Sequence, residues 1–490
     1  MSRVGLVLAV AAIAAAAFFV VRASGGGGRR ATVAAKIPGI VVICLDTVRT
    51  DVVEPGDGHN GLPSLRTFTT GATRFTSALA PSSWTAPSVT TLLTGLEPGS
   101  HGVLDPSFRA RLPASVPTIA SILRAAGWST AACTGGGWVS EGSGLAGDFE
   151  QFSTDFDALP PDEVVARWQR RRPTNRPFLL FLHTYAAHDP YGDKSRRNAR
   201  TCGPAESVRG LTYVERARVP PTDDAAIDAL QRGYFELRMT DPCGLAAVED
   251  GLGDAAVREL WAGCRGFMDG GWRRDAEGRA LVARVRAAYH AALPHVEARL
   301  AATLAALEAL PTGTVVVVCS DHGEAFGEHG VVQHGRQVPP ELTRAILVVR
   351  AAGWPAGGVV PATVGLVDVV PTLLELAGTP TRVRFDGQSL VPVVAAPARG
   401  RPIASVVTSN DDSTSGDEPW NRRAAVRDDD VTWAGTFDRR TGQWTAESWY
   451  DRKADPDEHH PLAAPPARPD PAYFDAVRSR VRRTIEVYTR

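Results

Sequence analysis

Four short, mostly β-branched runs constrain this chain more than any other feature: GIVVICLD (Gly39–Asp46), FLLFLHTY (Phe178–Tyr185), TVVVVCSD (Thr314–Asp321) and AILVVR (Ala345–Arg350). Each is apolar almost without alternation, so neither face is suited to water. Strands of this kind belong in a parallel or mostly parallel sheet covered on both sides. Helical patterns lie between them. VPTIASILRAAG has Pro117 near its start and Gly127 at its end, and LVDVVPTLLELAG has Asp368 upstream and Gly378 as its stop. The long run ARVRAAYHAALPHVEARLAATLAALEAL contains Pro294, which is expected to kink or interrupt it. Strands alternating with helices predict an α/β sandwich.

At 490 residues the chain exceeds one typical core, so a large domain with a smaller partner is expected. The period changes near the C-terminus, where DVTWAGTF, DRRTG and QWTAESWYD predict an antiparallel hairpin around Gly442. A last amphipathic helix, YFDAVRSRVRRTIEVY, follows a Pro-rich stretch. The main domain is therefore placed at 38–395 and a small C-terminal α+β unit at 396–490. Residues 192–280, with scattered Gly, Pro and Cys, read as a loop-rich variable insertion that covers or shapes a site.

The N-terminus stands apart from the fold. Val4–Val21 is an unbroken apolar run about long enough to cross a bilayer, and GGGGRR follows it. Residues 1–23 read as a signal anchor, or as a signal peptide cleaved near Val21-Arg22-Ala23, and 24–37 as a flexible Gly-rich tether. Both readings put the remainder in the cell envelope outside the cytoplasm, membrane-anchored or, after cleavage, secreted. Arg22, Arg29, Arg30 and Lys36 follow the run and weaken the charge argument for that orientation.

With 53 basic and 54 acidic residues the net charge is -1, and no basic block appears, which gives no sign of a nucleic-acid partner. Cys44 and Cys319 lie inside strand-like runs and read as small core residues. Among Cys202, Cys243 and Cys264, one pair can form a disulfide in an oxidising compartment; the pairing stays open.

Two of the buried runs end in aspartate, at Asp46 and at Asp321, and His322 follows the second. Ligands of open α/β sheets gather at the carboxyl ends of strands, and a buried acid there calls for a cation. Asp46, Asp321, His322 and the hydroxyl of Thr85 offer three oxygens and one imidazole nitrogen to a divalent ion. In PSSWTAPSVTTLLTG (81–95), Thr85 also fits a plain helix cap, with Pro87 in the first turn and Gly95 as the stop. A neighbouring cation would instead make its hydroxyl a nucleophile, with the helix N-terminus facing an anionic substrate. LHTYAAHDPYG places His183 and His188 beyond a third strand, and DHGEAFGEHGVVQHG adds His329 and His334 in a Gly-rich loop able to wrap a site.

These segments, in order, resemble the motifs of the sulfatase family within the alkaline phosphatase superfamily. The resemblance rests on ICLDTVRTD, APSSWTAPSVTTLLTGLEPGSHGV, HTYAAHDPY, SDHGEAFGEHG, LVDVVPTLLELAGTP, FDGQSL and WYDRKADPDEHHPL, and runs from about Gly39 to about Leu462. It implies an alkaline-phosphatase-like α/β sandwich with a small C-terminal antiparallel sheet. It also implies a metal-held nucleophile: Asp46, Asp321 and His322 as metal ligands, Thr85 as nucleophile, and His188 and His334 as contacts to the substrate anion. Sulfatases carry Cys or Ser at the nucleophile position, oxidised to formylglycine, in a motif ending in Arg. Here the motif is Thr85-Ala86-Pro87-Ser88-Val89, and threonine cannot yield that aldehyde.

Threonine at this position resembles nucleotide pyrophosphatases, which use two metals, and phosphoglycerol and phosphoethanolamine transferases, which use one. Thr184 stands four residues before His188, where the two-metal group has aspartate, so one divalent cation is expected, Ca²⁺ or Mn²⁺ ahead of Zn²⁺. The expectation is a hydrolase of sulfate or phosphate esters acting on a glycan, lipid head group or small molecule. Its alternatives are an envelope transferase of the same chemistry and an inactive sulfatase-like binding protein.

Overall fold

A computed structural model of the chain describes residues 37–56, 58–104, 111–192, 202–396, 399–408, 422–438 and 441–466, with Asp475, Arg478, Ser479, Val481 and Arg482. The apolar run Val4–Val21, the Gly tether and most of the expected terminal helix lie outside them. Among the described residues no helix is long and apolar enough to cross a membrane.

The main sheet has eight strands: β1 (Gly39–Leu45), β2 (Thr73–Leu79), β3 (Ser129–Cys133), β4 (Gln151–Ser153), β5 (Phe178–Thr184), β6 (Val315–Ser320), β7 (Leu347–Arg350) and β8 (Gly358–Gly365). Their order is β4-β3-β5-β1-β6-β7-β2-β8. Only β7 runs antiparallel to its neighbours, β6 and β2. The four β-branched runs are thus four strands, β5-β1-β6-β7, all adjacent at the sheet centre.

Both faces are covered, as the lack of alternation requires. Val41, Ile43 and Leu45 of β1 point into one core, and Ile40, Val42 and Cys44 into another. Helices α1 (Thr85–Thr94) and α2 (Ile119–Ala125) cover the second face. The segments α3 (Pro204–Ala217), α4 (Asp224–Thr240), α5 (Pro242–Leu252), α6 (Asp254–Gly263) and α7 (Ala276–Leu307) add residues to the first. Helix α8 (Val369–Leu376) completes the second face. Each buried aliphatic side chain here contributes on the order of 2 kcal/mol.

An expected interruption at Pro294 and an expected loop-rich segment are corrected. Helix α7 continues through Pro294; its apolar face packs along the first core at Tyr289, Leu293, Val296 and Leu300, and that packing outweighs the lost backbone bond. Among its described residues the 192–280 insertion is helical from Pro204 onward rather than loop-rich. Its glycines serve close helix contact: a Cβ on Gly210 would lie 2.1 Å from the Gly244 carbonyl oxygen. Cys202 and Cys243 form a disulfide, and Cys264 is a buried free thiol.

The second sheet is antiparallel, in the order β12-β11-β10-β9, built from β9 (Ile403–Thr408), β10 (Arg422–Arg427), β11 (Val431–Asp438) and β12 (Gln443–Asp451). Gly442, at φ 68°, turns the expected hairpin. This sheet meets the main body just ahead of Thr85, where Val406 N–H donates to Pro81 O at 2.8 Å and Ser405 Oγ to Ala80 O at 2.6 Å.

Candidate active site

The register of the central strands builds the site. Leu45 pairs with Ser320 and with Thr184, so the residues that follow, Asp46, Asp321 and Tyr185, emerge side by side at one sheet edge. Asp46, Asp321 and His322 each bury completely. Thr47, in the left-handed region at φ 57°, is a strained position for a β-branched residue. Its N–H donates to Asp321 Oδ1 at 3.3 Å, and that of His322 does so at 2.8 Å.

Thr85 is not a cap. Trp84 holds the cap position with extended backbone, and Thr85 is the first residue of α1. Its hydroxyl donates to Asp46 Oδ2 at 3.0 Å and lies 3.5 Å from His322 Nε2. Val89, where the sulfatase motif has Arg, is packed into the core beneath the helix. Gly95 closes α1 at φ 68° with its N–H on Thr91 O.

The donors fit a cation. Asp46 Oδ1 and Asp321 Oδ2 are buried and have no hydrogen-bond partner, a costly state for carboxylates without a counter-charge. Burial, followed by the charge of Asp46, pushes the Asp321 carboxyl well above the ordinary range. Burial also pushes Asp46 upward, but the nearby His183 imidazole and the charge of His188 outweigh it and hold Asp46 low. His322 Nδ1 lies 2.8 Å from Gly323 O, which assigns the proton there and leaves Nε2 for a metal. Burial, then the His334 charge, lowers its pKa to about 3, so the ring is neutral. Asp46, Asp321 and His322 bring one donor atom each within 4.8 Å of one another.

His188 and His334, expected from the resemblance to contact a substrate anion, lie close together. The His334 ring lies 4.7 Å from that of His322 and 4.9 Å from that of His188. His334 Nδ1 is 3.1 Å from both oxygens of Glu324, which itself accepts from Tyr191 Oη at 3.0 Å. Burial alone would lower the His334 pKa, but the Glu324 charge and hydrogen bond raise it to about 9. Gly335 N–H donates to Ser83 O at 2.9 Å, pinning this loop beside the start of α1.

Other histidines depart from expectation. His183 lies inside β5 rather than beyond it, paired with Cys44, and its Nε2 is 3.4 Å from Asp46 Oδ2. His329 turns away: Nδ1 meets Glu341 Oε1 at 2.9 Å, Nε2 meets Glu458 O at 3.1 Å, and the ring stacks on His459. It ties the loop to the segment that follows β12.

Sequence reasoning passed over Asp189 and Glu324. Asp189 Oδ1 lies 3.0 Å from His188 Nδ1, and with His188 and His334 it makes a second group of donor atoms within 4.8 Å. The signal was adjacency, an acid beside or near each of His188 and His334. It is a weak signal, because adjacency in sequence says nothing about burial or contact.

Comparisons with known proteins agree with this fold. The family profile described as Sulfatase matches residues 38–379. Arylsulfatase K of Rattus norvegicus is 29% identical over 189 residues, covering 36% of this chain and 31% of that protein. The extracellular sulfatase SULF-1 homolog of Drosophila melanogaster is 37% identical over 82 residues, covering 16% of this chain and 7% of that one. The chain thus spans about a third or less of the length of these relatives. Among solved structures, BT4656 in complex with its substrate D-glucosamine-2-N,6-O-disulfate superposes with a TM-score of 0.65 at 20% identity, covering 92% of this chain and 99% of that one. The phosphonate monoester hydrolase of Agrobacterium radiobacter gives 0.60 at 18% identity, covering 92% and 95%. At such identities the superpositions establish the fold, and the profile match over the greater part of the sequence establishes that the chain belongs to the sulfatase family.

Proposed function

We propose that this chain is a metal-dependent hydrolase of anionic esters in which Thr85 stands in place of formylglycine. The observation that carries the reading is the Thr85 hydroxyl 3.0 Å from Asp46 Oδ2, beside two buried carboxylate oxygens with no partner. Asp46, Asp321, His322 and Thr85 would hold one divalent cation, Ca²⁺ or Mn²⁺ ahead of Zn²⁺, which when bound supplies Lewis acidity to the hydroxyl and to the ester oxygens.

The chain's own residues then have separable roles. Asp46 Oδ2 orients the Thr85 hydroxyl, and the Thr85 oxygen forms a bond to phosphorus or sulfur as the bond to the leaving oxygen breaks, the hydroxyl proton departing with the leaving alcohol. His188 and His334 hold the non-bridging oxygens, aided by the backbone N–H groups of Thr85 and Ala86 at the helix N-terminus. Pro87 has no N–H to add. Water displaces Thr85 in the second step; an acceptor hydroxyl would do so in the transferase alternative. An inactive binding module has no use for a hydroxyl placed on a metal-ligand carboxylate.

By this reading 38–395 is the catalytic unit, 192–280 shapes substrate access, and 396–490 is an appended α+β unit. The relative named as an extracellular sulfatase supports a location outside the cytoplasm; the reading of residues 1–23 as signal or anchor rests on their apolar run alone. Acid-quenched turnover of an aryl phosphate, followed by peptide mass spectrometry, tests the chemistry. A phosphoryl adduct on Thr85 is expected; turnover with the adduct absent, and undiminished in Thr85→Ala, overturns it.

A further inference from the structure

We propose that Arg238, carried by the helical insertion, is a positioning residue for His188 and acts through Asp189; the inference rests on reading His188 as a contact to the substrate anion. Arg238 lies near the end of α4. Its Nη2 is 3.3 Å from Asp189 Oδ2, and its guanidinium lies over the Trp261 ring of α6 at 4.3 Å. Asp189 is 1% exposed. Its other oxygen is 3.0 Å from His188 Nδ1, and its carbonyl oxygen is 2.8 Å from the same nitrogen.

The residue after Arg238 is tied to the same segment, since Tyr191 N–H donates to Met239 O at 2.8 Å. Side chain and backbone of α4 therefore grip residues 189–191 together. A buried carboxylate stays ionised only with a counter-charge, and Arg238 supplies it. Burial pushes the Asp189 carboxyl up, yet the His188 and Arg238 charges outweigh this and hold it well below the ordinary range. Asp189 then fixes the rotation of the His188 ring through Nδ1 and leaves Nε2 on the opposite side. The ring also packs 5.4 Å from Tyr185 and 4.9 Å from His334.

Two consequences follow. The Arg238–Asp189 ion pair links the insertion to the anion pocket, so a change in its packing alters substrate binding without touching the substrate. Arg238 also brings to Asp189 the positive charge that a second cation would otherwise bring, although His188, Asp189 and His334 are close enough to ligate one.

The test compares full chains of wild type, Arg238→Ala, Arg238→Lys, His188→Ala and the Arg238→Ala/His188→Ala double variant. Inorganic phosphate and sulfate are titrated calorimetrically with Mn²⁺ present, and bound metal is counted. Expected are losses of about tenfold or more in anion affinity for both alanine variants, no further loss in the double variant, and partial recovery with lysine. Should Arg238→Ala fold poorly, Asp189→Asn is read in the same way. Wild-type affinity in Arg238→Ala beside a weakened His188→Ala, or losses that add in the double variant, overturns the relay alone. Two metals per wild-type chain also overturns it. Wild-type affinity in His188→Ala, or a wild type that binds neither anion, removes the reading of His188 and the relay with it.

Discussion

The Thr85 hydroxyl donates to Asp46 Oδ2 at 3.0 Å, joining the first residue of a helix to the residue just beyond a strand 39 positions earlier. A threonine used as a cap would spend that hydroxyl on backbone N–H groups of its own helix. With Trp84 as the cap residue, the hydroxyl is released to the carboxylate row at the sheet edge. The side chain then matters to the site far more than to the helix.

Thr85→Ala should therefore remove activity and leave the fold. Losing one hydrogen bond costs about 1 kcal/mol, whereas losing a nucleophile costs at least about a thousandfold in kcat. Thermal melting and aryl ester kinetics on the purified variant check both halves. Turnover within about tenfold of wild type would end the nucleophile reading.

Asp321→Ala should abolish metal retention and turnover with little change in secondary structure, because β6 is held by its valines and not by that carboxylate. Metal analysis of the dialysed variant reads this directly. Stoichiometric metal there would show that the ion is held elsewhere.

Aryl phosphate mono- or diesters should turn over faster than aryl sulfates. Formylglycine hydrate expels sulfate by collapsing to the aldehyde, but a threonine ester has no such route and waits for attack at the central atom. Phosphoryl groups on hydroxyl side chains are readily displaced in this way, given a metal and cationic clamps. Parallel initial rates with matched aryl leaving groups decide it; good sulfate cleavage with no phosphate cleavage would reverse the assignment.

Glu458 should stabilise the chain in a pH-dependent manner. It is 4% exposed and accepts from Arg427 Nε at 2.7 Å, Arg427 Nη2 at 2.8 Å and Thr432 Oγ1 at 2.6 Å. Burial raises its pKa, but Arg427 outweighs burial and the net direction is downward from 4.5. A lowered acid stabilises above its unfolded pKa, and the contribution is lost as pH falls through the folded one. Glu458→Gln should cost about 3 kcal/mol at neutral pH by stranding buried Arg427. The gap to wild type should narrow below pH 4.5 in urea titrations. A gap independent of pH would contradict it.

An alkaline phosphatase reporter fused after residue 37 should be active in a bacterial host, as export through residues 1–23 requires. An inactive fusion, with a cytoplasmic reporter active at the same point, would count against the envelope location.

Patterns set over a few residues were legible in the sequence. Unbroken β-branched runs fixed the central strands, Gly127 and Gly378 the ends of their helices, and Gly442 the hairpin. Asp46, Asp321 and Thr85 could be read because each stands at an element boundary, where periodicity changes within a turn or two. The tertiary structure alone decided which boundaries meet. Leu45 lies beside Ser320 because β1 and β6 share a register set by packing on both sheet faces, a choice that no local pattern encodes. Packing likewise carried α7 through Pro294, drew His183 into β5 against Asp46, and turned His329 toward Glu341. The Arg238–Asp189 pair was least visible of all. One arginine among many chemically equal ones is selected only when the insertion folds and places it beside a buried carboxylate that has to be neutralised.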